Sequence, residues 1–142
     1  MLLAILPDRG TDDYGSGEYG ASRGNRTHNG VDFAVAEGTT ILAPATGKVT
    51  KIGYVYSDDM SYLYVQITDG IGAHHRIFYV DPEVKLGDQV FGQVSRIGSA
   101  QNISNRYTER GVMKNHVHYE IKFNGEFVEP KVSNNQFSNS KR

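Results

Sequence analysis

Alternation constrains this chain more than any other feature. Its apolar residues come in short runs with a period of two, and no window of useful length keeps a 3.6-residue period. In Tyr62-Leu63-Tyr64-Val65-Gln66-Ile67-Thr68, Leu63, Val65 and Ile67 share one face, and the tyrosines, Gln66 and Thr68 share the other. Asp69-Gly70 then offers a turn. Val117, Tyr119, Ile121 and Phe123 alternate with His116, His118, Glu120 and Lys122, which predicts a strand with one dry face and one acid–base-capable face. Asn124-Gly125 follows, the strongest short hairpin signal, and Glu126-Phe127-Val128 returns. Arg76-Ile77-Phe78-Tyr79-Val80 is apolar on both faces and reads as one central strand. Thr39 to Pro44 and Gly47 to Ile52 supply two more strand-like runs around a proline turn, and residues 1–7 read as a first strand ending at Pro7. The pattern predicts a mainly β protein built of antiparallel sheet.

Length and composition narrow the class. The chain has 142 residues, enough for one hydrophobic core without disulfides. Apolar residues make up 38% and charged residues 22%, too apolar for disorder. The net charge of −1 argues against a nucleic-acid binder that works by bulk electrostatics. No run approaches about 18 apolar residues, so no membrane span is expected. The opening apolar stretch is too short for a signal peptide and lacks a basic lead. There is no cysteine, so thiolate metal sites and cysteine nucleophiles are excluded, and any metal must be held by His, Asp or Glu.

No internal repeat or second-domain linker is visible, and 1–142 reads as a single domain. Three stretches read as loops: 10–26, 99–115 and the polar tail 132–142, which is expected to fray. The two internal loops flank the histidine motifs, and loops this long in a compact domain are functional or disordered. Tyr14, Tyr19, Tyr54, Tyr56, Tyr62, Tyr64 and Tyr107 lie in loops and on polar strand faces, as surface packing or as a groove for a peptide or glycan.

The five histidines carry the chemistry. His28 and Asp32 stand about 13 Å apart in an extended strand, too far to share a metal, but Asn29-Gly30 can turn the chain and let them converge. Alternation puts His116 and His118 on one strand face, about 6–7 Å apart. Either both rings chelate, or one binds and its neighbour faces a substrate. A carboxylate with neutral imidazoles suits zinc, and three protein ligands leave an open position, the arrangement of catalytic sites. His74 and His75 read as surface residues near a turn, and Asp12, Asp13, Asp58 and Asp59 as solvated loop charges.

From Arg26 to Pro130 these residues resemble the lysostaphin-type (LytM-like) zinc metalloendopeptidases, which cut cross-linking peptides in bacterial peptidoglycan. Thr27-His28-Asn29-Gly30-Val31-Asp32 matches the family's His-x-x-x-Asp strand, and Val84-Lys85-Leu86-Gly87-Asp88 its glycine–aspartate turn. His116-Val117-His118-Tyr119-Glu120 matches its His-x-His strand. The resemblance implies a folded-over two-sheet β domain with a core at 26–130, a tail at 131–142 and long loops flanking a zinc groove. It implies Zn2+ held by His28, Asp32 and His118, and His116 facing the scissile peptide. The bound water is then acidified toward a pKa of about 7.

One departure stands out. The family carries a second catalytic histidine at the end of the strand before the Gly-Asp turn. Phe78-Tyr79-Val80 occupies that place, which puts Val80 at the histidine position, or Phe78 after a small shift. Tyr107, Arg110, Lys114 or His75 are the candidates to substitute. The loop before His116 is also longer than the family's usual one, which predicts a basic, tyrosine-containing flap over the cleft. The reading is a zinc-dependent endopeptidase hydrolysing peptidoglycan peptides at the bacterial cell wall, phage-encoded or delivered by other proteins. Its alternative is a catalytically impaired zinc-binding module used for wall or protein recognition.

Overall fold

The structure is a computed structural model that describes residues 29–108, 111 and 113–130, with the backbone alone of residues 11–12, 15–16, 22–23 and 26–27. Within the stretch expected to be a loop, that backbone forms two short antiparallel ladders. They are β1 (Thr11–Asp12) with β2 (Gly15–Ser16), and β3 (Ser22–Arg23) with β4 (Arg26–Thr27). The expected first strand at residues 1–7 and the tail from 131 onward lie outside the described residues. There is no α-helix among the described residues, in line with the absence of a 3.6 period, and none long and apolar enough to cross a membrane.

The strands that matter follow in order: β5 (Val31–Ala34), β6 (Thr40–Leu42), β7 (Gly47–Tyr54), β8 (Leu63–Asp69), β9 (His74–Phe78) and β10 (Val80–Pro82). β11 (Gln89–Val90), β12 (Arg96–Ala100), β13 (His116–Phe123) and β14 (Glu126–Val128) complete the set. The large antiparallel sheet runs β11-β7-β8-β9-β13. The outer edge of β13 is shared, with β5 along its first half and β14 along its second. The β13–β14 hairpin turns through Asn124 and Gly125, both at positive φ (53° and 80°), as Asn-Gly predicts. A small sheet, β10-β12-β6, packs beside the large one.

The core lies between the inner faces of the two sheets. Val117, Ile77, Val65, Ile67 and Val49 come from the large sheet, and Ile41, Val80 and Ile97 from the small one. Val65, Ile67 and Val117 are positions that alternation assigns to dry faces, and the register is pinned because a one-residue slip would bury the polar face instead.

The run expected to be one strand through Val80 is broken. Tyr79 sits at φ 74°, a left-handed conformation that is rare for a bulky residue. Its N–H donates to the Leu63 carbonyl and its carbonyl accepts from the Gln101 N–H, each at 2.8 Å. Those two bonds hold the corner at which the chain leaves the large sheet and enters the small one. Val80 begins the new strand, paired with Ala100 and fully buried.

Candidate functional site

Asp32 and His118 meet because β5 and β13 are in register: His118 lies directly opposite Asp32, and His116 opposite Ala34. Parity places His116, His118 and Glu120 on the face of the large sheet opposite to Val117 and Tyr119. His118 Nδ1 donates to Asp32 Oδ1 at 2.9 Å, and His118 Nε2 donates to Glu120 Oε1 at 3.0 Å. Asp32 and Glu120 are buried, so this is a desolvated charged cluster. Burial works against charge on the His118 ring. The hydrogen bonds and charges of Asp32 and Glu120 outweigh it and push the pKa up to about 9.

Gly30 makes the approach possible. A Cβ there would press on the Tyr119 carbonyl and stand 2.7–2.8 Å from the His118 ring atoms Cε1 and Nε2. Only a residue without a side chain lets the strand entry pass so close. His28, two positions upstream in sequence, lies outside the described residues. Among the described residues no three His, Asp or Glu side chains form a group able to hold a metal ion.

His116 is buried beside this pair. Its Nδ1 lies 2.9 Å from the Lys114 carbonyl, and its Nε2 lies 3.6 Å from Asp32 Oδ2. A carbonyl only accepts, so the Nδ1 carries the proton and Nε2 is the nitrogen turned toward the site.

Of the two positions offered for the absent histidine, Phe78 borders His118 and Val80 does not. Val80 is in the core, on the far side of the Tyr79 corner, and does not face the site. Phe78 is the cross-strand partner of His118, with ring centroids 5.1 Å apart and planes at 85°. Phe78 in turn stacks on Tyr64 at 5.0 Å, and Gly53 gives Tyr64 its room, since a Cβ there would meet that ring at 2.8 Å.

A second aromatic group borders His116. The Tyr79 ring stands edge-on to the imidazole at 5.5 Å and packs on Tyr56 and Tyr62. Tyr56 and Tyr107 share a hydroxyl hydrogen bond of 2.7 Å, and burial pushes the Tyr56 hydroxyl pKa well up. Arg106 lies 3.6 Å over the Tyr56 ring and pairs with Asp58 and Asp59, so those carboxylates are not simply solvated. In the stretch expected to form a flap before His116, which runs on from β12 at Gln101, a short 3-10 turn (Ser104–Arg106) carries Arg106 onto the loop after β7. Arg110 lies outside the described residues.

His75 is not a surface residue. It is 8% exposed on the opposite face of the sheet, bonded to Tyr119 Oη at 2.7 Å and to Asp69 Oδ2 at 2.8 Å. It fastens the β8–β9 turn to β13. His74 bonds Thr68 at the far end of the polar face. The alternation rule had the signal for His75, since it shares parity with Ile77. The roles of Gly30, Phe78 and Tyr79 depend on cross-strand partners that alternation within one strand does not name.

The comparisons with known proteins agree with this architecture. The family model described as Peptidase family M23 matches residues 26–130. Leukocyte cell-derived chemotaxin-2 of Mus musculus is 32% identical over 117 residues, covering 79% of this chain and 71% of that protein. An uncharacterized metalloprotease of Haemophilus influenzae is 30% identical over 106 residues, and the match spans 74% of this chain but 20% of that protein. The crystal structure of a putative peptidase M23 from Pseudomonas aeruginosa superposes with a TM-score of 0.59 at 28% identity, over 90% of this chain and 51% of that one.

Proposed function

Because the chain belongs to peptidase family M23, we propose that it is a zinc-dependent endopeptidase hydrolysing the cross-linking peptides of bacterial peptidoglycan. One observation carries the reading: Asp32 and His118 converge from facing strands, with His116 beside them on the same strand as His118. Ligand atoms bound to a tetrahedral zinc at its usual bond lengths lie about 3.3 Å apart. Asp32 Oδ1 and His118 Nδ1 stand 2.9 Å apart, a hydrogen-bonded pair about 0.4 Å closer than that spacing, and a carboxylate with imidazoles fits the metal's chemistry. Asp32, His118 and His28 are the residues that would hold it, His28 by its place in the His-x-x-x-Asp motif before Gly30. Bound there, zinc supplies Lewis acidity, polarising a peptide carbonyl and acidifying water.

The chain's own residues do the rest. His116 keeps its proton on Nδ1 against the Lys114 carbonyl, so Nε2 is the atom that takes a proton and returns it to the leaving amine. Phe78 and Tyr79 wall the site with rings, which exclude water around the His118 and His116 imidazoles. The 1–142 chain acts as one domain at the cell wall, phage-encoded or delivered by other proteins.

Phe78 favours a second reading, a zinc-holding module that binds wall or protein without cutting. A ring carbon cannot donate to a developing oxyanion, and loss of such a donor costs about 10²–10³ in rate. Zinc content and turbidity of purified cell walls, measured on one preparation, separate the two readings. The enzyme reading expects about one zinc per chain and loss of turbidity. A zinc-loaded, folded protein silent on several wall types supports the module instead.

A further inference from the structure

Two rows of side chains run across the large sheet beside His118. One is aromatic: His118, Phe78 and Tyr64 stand opposite one another on β13, β9 and β8. The next is polar: Glu120, Arg76 and Gln66 occupy the same three strands, again directly opposite one another. Glu120 Oε1 accepts from His118 Nε2 at 3.0 Å, while its Oε2 lies 3.5 Å from Arg76 Nη1. Arg76 Nε donates to Gln66 Oε1 at 2.7 Å, and Gln66 Nε2 donates to Thr50 Oγ1 at 3.0 Å. Glu120 and Gln66 are each 7% exposed.

Stability is a poor explanation for this row. A buried ion pair contributes little when its geometry is long, and the 3.5 Å Glu120–Arg76 contact is long. The shorter contact of Glu120 is the one to His118. That bond has a directional consequence. With Nε2–H committed to Glu120, the Nδ1 proton shared with Asp32 is the one a metal would displace, and a ring flip would break the Glu120 bond. Phe78 limits the ring from the β9 side.

We infer that Glu120 is the positioning residue for His118, held in place by Arg76 and Gln66, and that it sets the tautomer and orientation in which His118 binds metal. This rests on the reading of Asp32 and His118 as metal ligands.

The test measures zinc affinity by competition with a chromophoric chelator, together with the imidazole nitrogen signals of zinc-free protein by NMR. Glu120→Ala should weaken zinc by about 10–100-fold. Glu120→Gln keeps an acceptor for Nε2–H and should recover most of that loss, and His74→Ala should match the wild type. Glu120→Ala that is folded and binds zinc as tightly as the wild type overturns the inference. Should Glu120→Ala fail to fold, Arg76→Met removes the fastener and leaves Glu120: weaker zinc supports the inference and unchanged zinc overturns it. Should the wild type itself bind no zinc, the metal reading falls, and the NMR arm decides the positioning claim alone. Loss of the bonded Nε2–H signal in the Glu120 variant then supports positioning, and an unchanged signal overturns it.

Discussion

Phe78 on β9 and His118 on β13 are direct cross-strand partners whose rings meet edge to face at 5.1 Å. The contact sets a hydrocarbon ring, which can neither give nor take a proton, against the His118 imidazole. It also separates Phe78 from Val80, which lies beyond a left-handed corner in the core.

Two substitutions exploit that separation. Phe78→His should leave the fold intact and raise the hydrolysis rate, because it adds a donor next to His118. Val80→His should lower the melting temperature without any gain, since it buries an imidazole in an apolar core at a cost of about 1–3 kcal/mol before overpacking. Thermal unfolding and wall turbidity on both variants check this. A gain from Val80→His would put residue 80, and not Phe78, beside His118.

His116 is assigned to proton transfer and not to coordination. His116→Ala should therefore keep its zinc and lose about 10²–10⁴ in rate. Zinc analysis of the purified variant decides it: a zinc-free His116→Ala would make His116 a ligand.

Gly30→Ala should be costly out of proportion to one methyl group. The added Cβ meets the Tyr119 carbonyl, which is backbone and cannot move aside cheaply, and the His118 ring. The expected loss is about 1–3 kcal/mol in urea unfolding, accompanied by weaker zinc binding. Wild-type stability and wild-type zinc affinity together would contradict the close approach at β5.

The Asp69–His75–Tyr119 cluster should affect stability alone. Burial pushes the Asp69 carboxyl up, but the hydrogen bond to His75 and those from the Ala73 and Ile71 amides outweigh it and hold the pKa below the ordinary value. A carboxyl depressed in the folded state stabilises above its unfolded pKa of about 3.9, and that stabilisation is lost as the pH falls through the folded value. Asp69→Asn should thus lower stability at neutral pH and flatten the acid side of the stability profile. The side chain is one-fifth exposed, so the effect should be modest. Zinc affinity should not change.

Much of this was legible in the sequence, and the parts that were not have physical reasons. Strand β13, its two faces and its Asn-Gly hairpin follow from alternation and turn chemistry alone. So does the placing of His116, His118 and Glu120 on one face. The Tyr79 corner does not, because its left-handed φ is imposed by hydrogen bonds to Leu63 and Gln101, residues distant in sequence. Alternation read Phe78, Tyr79 and Val80 as one continuous run, and the corner turns Val80 inward. His75 reads as a surface residue in sequence because its partners, Asp69 and Tyr119, lie six and 44 positions away. The Tyr56–Tyr107 contact joins two loops 51 positions apart, which no local pattern encodes.

The most direct test of the central claim is digestion of purified peptidoglycan, with new amino termini counted in the soluble fraction. The account predicts that wild-type protein releases them, that a chelator stops the release and that added zinc restores it, while Asp32→Ala and His118→Ala release none under any condition. Release that continues in metal-free protein, or in a folded Asp32→Ala variant, would contradict it.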